Sequence, residues 1–279
     1  MRINHGIMLG FVTLMRICCI CLATLILMSN DSISASVPRL HDMSLKTFET
    51  QAASVQPDDW CFVFLGDNRG NDQKFEEILK RATALKPLFI LDGGDIVESG
   101  TADELSHFMR IVRQQKDLPP IFIVRGNHEG NQELFEQKIG PRDYTIDSQR
   151  LGFRLVVVDN AGYSLKDKEL AFLKSKLDQS RKLQFVAMHI PPKTERWPRH
   201  TFEKGSKALI RLMTERKVTM GLFSHIHLFD KDEINGIPLI ISGGAGASLT
   251  WFLYPGDADY HFVVVEFKKG KVSYRVVRL

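Results

Sequence analysis

Short, uninterrupted apolar runs that end in polar, glycine-rich turns recur along this chain, and stretches of helical spacing separate them. CFVFLGD (61–67), LFILDGGD (88–95) and IFIVRGNHE (121–129) read as buried strands. Between them, NDQKFEEILKRATAL puts Phe75, Ile78, Leu79 and Ala82 on one helical face, with Pro87 beyond its end. ADELSHFMRIVRQQ reads as a second helix. Strands that alternate with helices at this spacing predict βαβ units.

The later sequence mixes this pattern with hairpins. RDYTIDSQRLGFRLVVVDN predicts two strands joined by a tight turn, and KDKELAFLKSKL a helix. LQFVAMHIPP is a strand that stops at two prolines. FEKGSKALIRLMTERK reads as a helix and VTMGLFSHIH as a strand. KDEINGIPLIIS predicts a hairpin around Asn235-Gly236, and HFVVVEFKKGKVSYRVVRL closes the chain with another. No internal repeat appears. The expectation is one mixed α/β domain over 59–279, preceded by a linker or loosely docked arm over 37–58.

Metal-type residues collect at the carboxyl ends of the strands. Asp67, Asp95, Asn127 with His128, His189, and His225 with His227 each follow a different apolar run. In open α/β sheets the ligand site lies beyond those ends, so residues distant in sequence converge there. Carboxylates, an amide oxygen and imidazoles suit Mn, Fe or Zn. The i, i+2 spacing of His225 and His227 points both rings to one side of extended backbone. A carboxylate such as Asp95 can bridge two metals, and such a pair clamps a phosphate and acidifies water. Each piece alone is ordinary: a Gly-Asp after a strand is usually a turn, and Asn127-His128 after Gly126 can be one too. Their order and shared location give them weight.

The N-terminus stands apart. Arg2 and Arg16 precede an apolar run from Ile17 to Met28, and small residues follow at Ser34, Ala35 and Ser36. This pattern predicts a secretory signal over 1–36, and hence export to the periplasm or beyond the cell. An uncleaved anchor starting near Ile7 is the alternative reading, although it would bury Arg16. With the signal cleaved, no stable membrane span is expected. Three of the four cysteines lie in this segment, which leaves Cys61 without an internal disulfide partner. A formal charge of +4 over 279 residues makes no case for nucleic-acid binding.

Taken in order, Gly66-Asp67-x-Arg69, Gly94-Asp95-x-x-Glu98, Gly126-Asn127-His128-Glu129, His189 and His225-x-His227 resemble the calcineurin-like metallophosphoesterase superfamily. The resemblance implies an α/β two-sheet sandwich flanked by helices. It also implies two divalent or trivalent metal ions, and hydrolysis of a phosphomonoester or phosphodiester by a metal-bound hydroxide. Asp95 would bridge the metals. Asn127, His189 and His225 would complete one site, and Asp67 and His227 would belong to the other. His128 would protonate the leaving oxygen, a task that suits an imidazole. Glu129 would orient it.

The chain departs from the superfamily at Asp67-Asn68-Arg69, where Asp-x-His is usual. Arginine has no lone pair to give a metal. Three readings stand open. Arg69 binds phosphate oxygens as a fork, while Glu98 or water fills the vacancy. Alternatively, only one metal binds. Otherwise the protein is a weak or inactive homologue that binds phosphate or a partner. For Glu98 an ion pair with Arg69 competes with ligation.

Two loops are expected to face the site. PPKTERWPRH (191–200) carries Arg196, Trp197, Arg199 and His200, and could offer cations and an aromatic plate to a small-molecule or lipid phosphoester. The second, 242–257, carries an aromatic cluster at 251–254, read more readily as core than as pocket wall. A reading from another class is an exported, membrane-docked scaffold whose linker and aromatic loop bind a partner.

Overall fold

The computed structural model describes residues 38–250 and 255–279. The signal expected over 1–36 and the aromatic cluster at 251–254 lie outside the described residues. Among the described residues no helix is long and apolar enough to cross a membrane.

Two mixed sheets face each other. β1 (Asp59–Leu65), β2 (Ile90–Asp92) and β3 (Ile121–Ile123) run parallel in the first, separated in sequence by α2 (Asp72–Ala84) and α3 (Ala102–Gln114). β10 (His261–Lys268) and β11 (Lys271–Arg278) complete it, giving the order β11-β10-β1-β2-β3. The second sheet has the order β4-β5-β6-β7-β9-β8. Its strands are β4 (Tyr144–Ser148), β5 (Phe153–Val157), β6 (Leu183–Ala187), β7 (Met220–Phe223), β8 (Phe229–Ile234) and β9 (Ile237–Ser242). β5, β6, β7 and β9 are parallel, and α5 (Asp167–Lys176) and α6 (Ser206–Glu215) connect members of this run.

The hairpin expected at Asn235-Gly236 joins β8 to β9, with both turn residues at positive φ (54° and 78°). That conformation matches the twist of the flanking strands. The chain-closing hairpin turns the same way at Lys269-Gly270.

Aromatic rings fill the space between the sheets. Phe62 stacks on Phe89 at 4.8 Å and meets Phe185 edge-on at 5.6 Å. Phe153 and Phe267 close the cluster. The outer face of the first sheet packs on Phe75, Ile78 and Leu79 of α2 and Leu105 and Phe108 of α3. That of the second packs on Leu173 of α5 and Leu209 and Met213 of α6. The stripe read from sequence is thus the buried face of α2. α3 starts at a capping box, with Thr101 Oγ1 accepting from Glu104 N–H and Glu104 accepting from Thr101 N–H at 2.9 Å.

Two elements depart from the sequence reading. The described part of the expected arm, 38–58, is not loose: it contains α1 (Leu40–Ser54), which docks Phe48 and Ala52 into the inter-sheet core. Phe48 meets Phe89 edge-on at 5.7 Å, and Ser44 Oγ donates to the Ile121 carbonyl at 2.7 Å. Its weak amphipathic period concealed it, because five buried residues share the helix with scattered polar ones. A short helix, α4 (Gln132–Lys138), follows the GNHE turn and is capped by Asn131. It is too short for periodicity to reveal.

Candidate metal centre

The carboxyl ends of β1, β2, β3, β6 and β7 meet on one side of the molecule. Two glycines permit the approach. A Cβ on Gly66 or Gly93 would lie 2.1 or 2.0 Å from Ser224 Oγ, so the residues preceding the two aspartate turns admit no side chain. Ser224 in turn donates to the Ser242 carbonyl at 2.9 Å, which fixes the turn that carries His225 and His227.

Asp67, Asp95 and His225 all hold left-handed backbone, with φ of 57°, 56° and 69°. Such a conformation costs a non-glycine residue about 1–3 kcal/mol and persists only where surrounding structure imposes it. Here the neighbours do so by hydrogen bonds. Asp67 N–H donates to the Gly94 carbonyl at 2.9 Å, and His225 N–H donates to Asp67 Oδ2 at 2.8 Å. Asp95 Oδ1 accepts from His128 N–H at 3.0 Å.

The converging side chains form two triads that share Asp95. Ligand atoms of Asp95, His189 and His225 lie within 4.8 Å of one another, as do those of Asp67, Asp95 and His227. Asn127 joins the first group, its Oδ1 3.1 Å from His189 Nε2. Two of the three histidines are fixed in orientation by backbone carbonyls. His189 Nδ1–H donates to the Gly93 carbonyl at 2.8 Å, which turns Nε2 to Asp95 Oδ1 at 3.3 Å. His227 Nδ1–H donates to the Ser248 carbonyl at 2.8 Å, turning Nε2 to Asp67 Oδ1 at 3.4 Å. A carbonyl that fixes the outer ring nitrogen is the usual support of a metal-binding imidazole.

The donor set fits cations. Asp67 Oδ1 is buried and has no hydrogen-bond partner, a costly state for a carboxylate oxygen unless a cation meets it. Mixed oxygen and imidazole donors suit Mn, Fe or Zn.

Titration behaviour follows from this crowding. Burial lowers the His189 pKa, but Asp95, with Asp67 and Glu129 beyond it, outweighs burial and lifts it to about 10. Burial and the His189 charge together hold His225 down to about 2. Burial followed by the Asp95 charge raises Glu129. Burial drives Asp92 well above the carboxylate range, beneath Asn68 Nδ2, which donates to it at 2.7 Å.

Around this centre the expected roles divide. His128 is half-buried, with Nδ1 on the Glu98 carbonyl at 2.6 Å and Nε2 3.9 Å from Asp95 Oδ2. Glu129 does not orient it. Its carboxylate is fully buried and receives the backbone N–H groups of Asp95 (3.1 Å), Ile96 (2.8 Å) and Gly126, tying the second strand-end turn to the third. Arg69 Nη1 is ion-paired with Glu98, so the carboxylate considered as a replacement ligand is engaged by the arginine. Arg69 Nε lies 3.7 Å from Asp95 Oδ2.

Of the loop 191–200, His200 approaches the site, while Trp197 and Arg196 are engaged elsewhere. Trp197 is fully buried and its Nε1–H donates to Asp230 Oδ2 at 2.9 Å, so it offers no plate to a substrate. Arg196 is forked onto the same Asp230 carboxylate at 2.6–3.1 Å. Arg199 is exposed. His200 comes nearest, its ring centroid 6.4 Å from that of His225.

Tyr163 escaped the sequence reading. Its hydroxyl is 3.1 Å from His225 Nε2, while His225 Nδ1 faces His189 Nε2 at 3.2 Å. The signal was present, since VVVDN at the end of β5 is another apolar run that stops at Asp and Asn.

Comparison with known proteins agrees with this geometry. The profile of the calcineurin-like phosphoesterase family matches residues 62–229. No curated protein sequence matches. Among solved structures, the fold is similar to that of GAP50, described as the anchor in the inner membrane complex of Plasmodium. The TM-score is 0.60 and the identity 16%, over 79% of this chain and 84% of that one. A purple acid phosphatase from yellow lupin seeds matches with a TM-score of 0.61 and 15% identity, over 80% of this chain and 54% of the lupin chain. A dimetal phosphatase from Danio rerio matches with a TM-score of 0.60 and 11% identity, over 78% and 98%. At these identities the likeness is one of fold.

Proposed function

The chain belongs to the calcineurin-like phosphoesterase family, and from that premise we propose that it is a metal-dependent phosphoester hydrolase with a two-metal site. The observation that carries this reading is the pair of ligand triads sharing Asp95, with His128 alongside. Asp95, Asn127, His189 and His225 would hold one metal, and Asp67, Asp95 and His227 the other. When bound, such metals acidify water and neutralise charge that builds on a phosphoryl group.

The protein groups around them have distinct tasks. The Glu98 carbonyl holds His128 by Nδ1–H, so Nε2 is the ring atom turned toward Asp95. A protonated His128 therefore presents Nε2–H to the leaving oxygen. Arg69 supplies guanidinium donors to the non-bridging phosphoryl oxygens, with Glu98 fixing its plane. Because Glu98 is occupied by Arg69, the Asp67 side has three side-chain donors and the His189 side four. The two metals then bind with unequal affinity, and Arg69 lowers the affinity of the weaker one.

Export of the chain by its N-terminal segment is part of the same reading, and it rests on the charge and hydropathy pattern of residues 1–36.

Elemental analysis and a panel of phosphomonoesters and phosphodiesters, with Mn, Fe or Zn added, test the proposal. Metal-dependent turnover is expected. Absence of turnover with all three metals would overturn it in favour of phosphate or partner recognition, a reading that the Arg69 guanidinium beside Asp95 also accommodates.

A further inference from the structure

The metal centre is assembled across the gap between the two sheets. Asp67, Asp95, Asn127 and His128 follow strands of the first sheet, and His189, His225 and His227 follow strands of the second. A proton donor on the first sheet must therefore be held in register with ligands on the second. The supports of the His128 turn described above all come from the first sheet: the Glu129 carboxylate, the Glu98 carbonyl and Asp95 Oδ1.

One buried side chain crosses the gap. Arg125 follows β3 and is 6% exposed. Its Nη2 donates to the Gly130 carbonyl at 2.6 Å, which closes the turn over Asn127, His128 and Glu129. Its Nη1 donates to both oxygens of Asp159, beyond the end of β5, at 3.3 Å. Asp159 also accepts from Arg142 Nη1 at 3.1 Å, and Arg142 Nε donates to Glu136 of α4 at 2.6 Å. Two guanidinium groups thus meet two carboxylates, and the charge balances.

The brace continues into the ligands of the second sheet. Asp159 Oδ1 accepts from Ala161 N–H at 3.0 Å, at the start of the loop that brings Tyr163 to His225. Its neighbour Asn160 donates from Nδ2 to the Ile190 carbonyl at 2.7 Å and accepts from Ile190 N–H at 3.1 Å, next to His189. A planar guanidinium serves a carbonyl and a carboxylate at once, whereas an ammonium is a point charge without that fork. Arg125 belongs to neither ligand triad, so any effect it has on the reaction passes through the turn.

We propose that Arg125 is a positioning residue for His128: through Gly130 and Asp159 it holds the proton donor in register with the ligands of the second sheet. This inference rests on the hydrolase reading above, because it assigns a support to that reaction's proton donor.

The test uses Arg125→Lys, which keeps the charge beside Asp159 but loses the fork. Two esters separate positioning from general damage. Phenyl phosphate needs a proton on its leaving oxygen, while para-nitrophenyl phosphate has a weakly basic leaving oxygen that departs without one. Displacement of a reacting group is costly, so Arg125→Lys should slow phenyl phosphate about tenfold and para-nitrophenyl phosphate less than about twofold. In the His128→Ala background the same change should cost less than about twofold with either ester. Hydrogen exchange of the metal-free chain reads the turn without turnover: the His128 N–H should exchange about tenfold faster in the variant. Asp159→Asn leaves the arginine and weakens its anchor; it should act in the same direction by about threefold, and it replaces Arg125→Lys if that chain does not fold. Equal slowing of both esters, an undiminished loss in the His128→Ala background, or unchanged exchange at His128 would overturn the positioning role alone. No turnover of either ester by the unsubstituted chain with Mn, Fe or Zn would overturn the hydrolase reading, and this inference with it.

Discussion

Arg69 Nη1 is ion-paired with Glu98 while its Nε lies 3.7 Å from Asp95 Oδ2, the carboxylate shared by both ligand triads. A fixed positive charge thus stands at the edge of a site built for cations. Asp95 is held well below the usual carboxylate range despite its burial, mainly by His189. It is an anion that proton, arginine and metal all compete to neutralise.

If that competition sets metal affinity, Arg69→His should raise the affinity of the weaker metal by about 10–100-fold, the scale on which changes around a metal site act. Arg69→Ala should weaken phosphate binding and still leave the four-donor side loaded. Calorimetric metal titration separates the two effects. Unchanged stoichiometry and affinity in Arg69→His would show that the arginine is neutral toward the metal.

The two central residues should fail in different ways. Asp95→Asn removes the shared carboxylate and is expected to lose bound metal and activity together. His128→Ala should retain metal while turnover falls by about 10²–10⁴, the usual contribution of a positioned proton donor. Elemental analysis beside initial rates distinguishes them, and metal loss in His128→Ala would remove its assignment as proton donor.

Tyr163→Phe deletes the hydroxyl on the outer nitrogen of His225. The ring stays, so the edge-on contact at 5.3 Å is kept. Metal affinity is expected to fall by about tenfold at the His189 side with thermal stability of the metal-free chain unchanged. Equal metal affinity in variant and wild type would mean that the hydroxyl does not support the ligand.

Metal removal should expose the charge of His189. Its folded pKa, about 10, is above the ordinary 6.5. The stabilisation that follows is complete below pH 6.5 and disappears as pH rises through about 10. Chelated protein should therefore lose stability between pH 7 and 10, more steeply than metal-loaded protein. Since Nε2 must be deprotonated to bind metal, metal addition at pH 7 should release close to one proton from His189. Calorimetry in buffers of different ionisation enthalpy reads that proton directly, and binding heats independent of buffer would contradict it.

Phe48→Ala tests the docking of α1. Phe48 is 1% exposed between Phe89 and Phe122. Truncating a buried phenylalanine costs about 3–5 kcal/mol, which should appear as a marked drop in denaturant midpoint. A shift under about 1 kcal/mol would restore the view of this segment as a loose arm.

The sequence by itself determined the alternation of strands and helices, both glycine hairpins and the identities of the metal-type residues. Periodicity and turn chemistry are local, and the strand-end rule turns a list of distant residues into one site. What each residue does there was decided by tertiary contacts. Glu129 was expected to serve its neighbour His128, yet it clamps the backbone of Asp95, Ile96 and Gly126, because β2 and β3 lie side by side. Trp197 and Arg196 looked like substrate groups, but Asp230 on β8 takes both. Glu98 was open between ligand and ion pair until the Arg69 side chain was placed beside it. Tyr163 reaches His225 across 62 residues of chain. A side chain's chemistry is legible from its type, but its role depends on which partner satisfies its hydrogen bonds and charge. That partner is chosen by how the sheets pack, not by spacing along the chain.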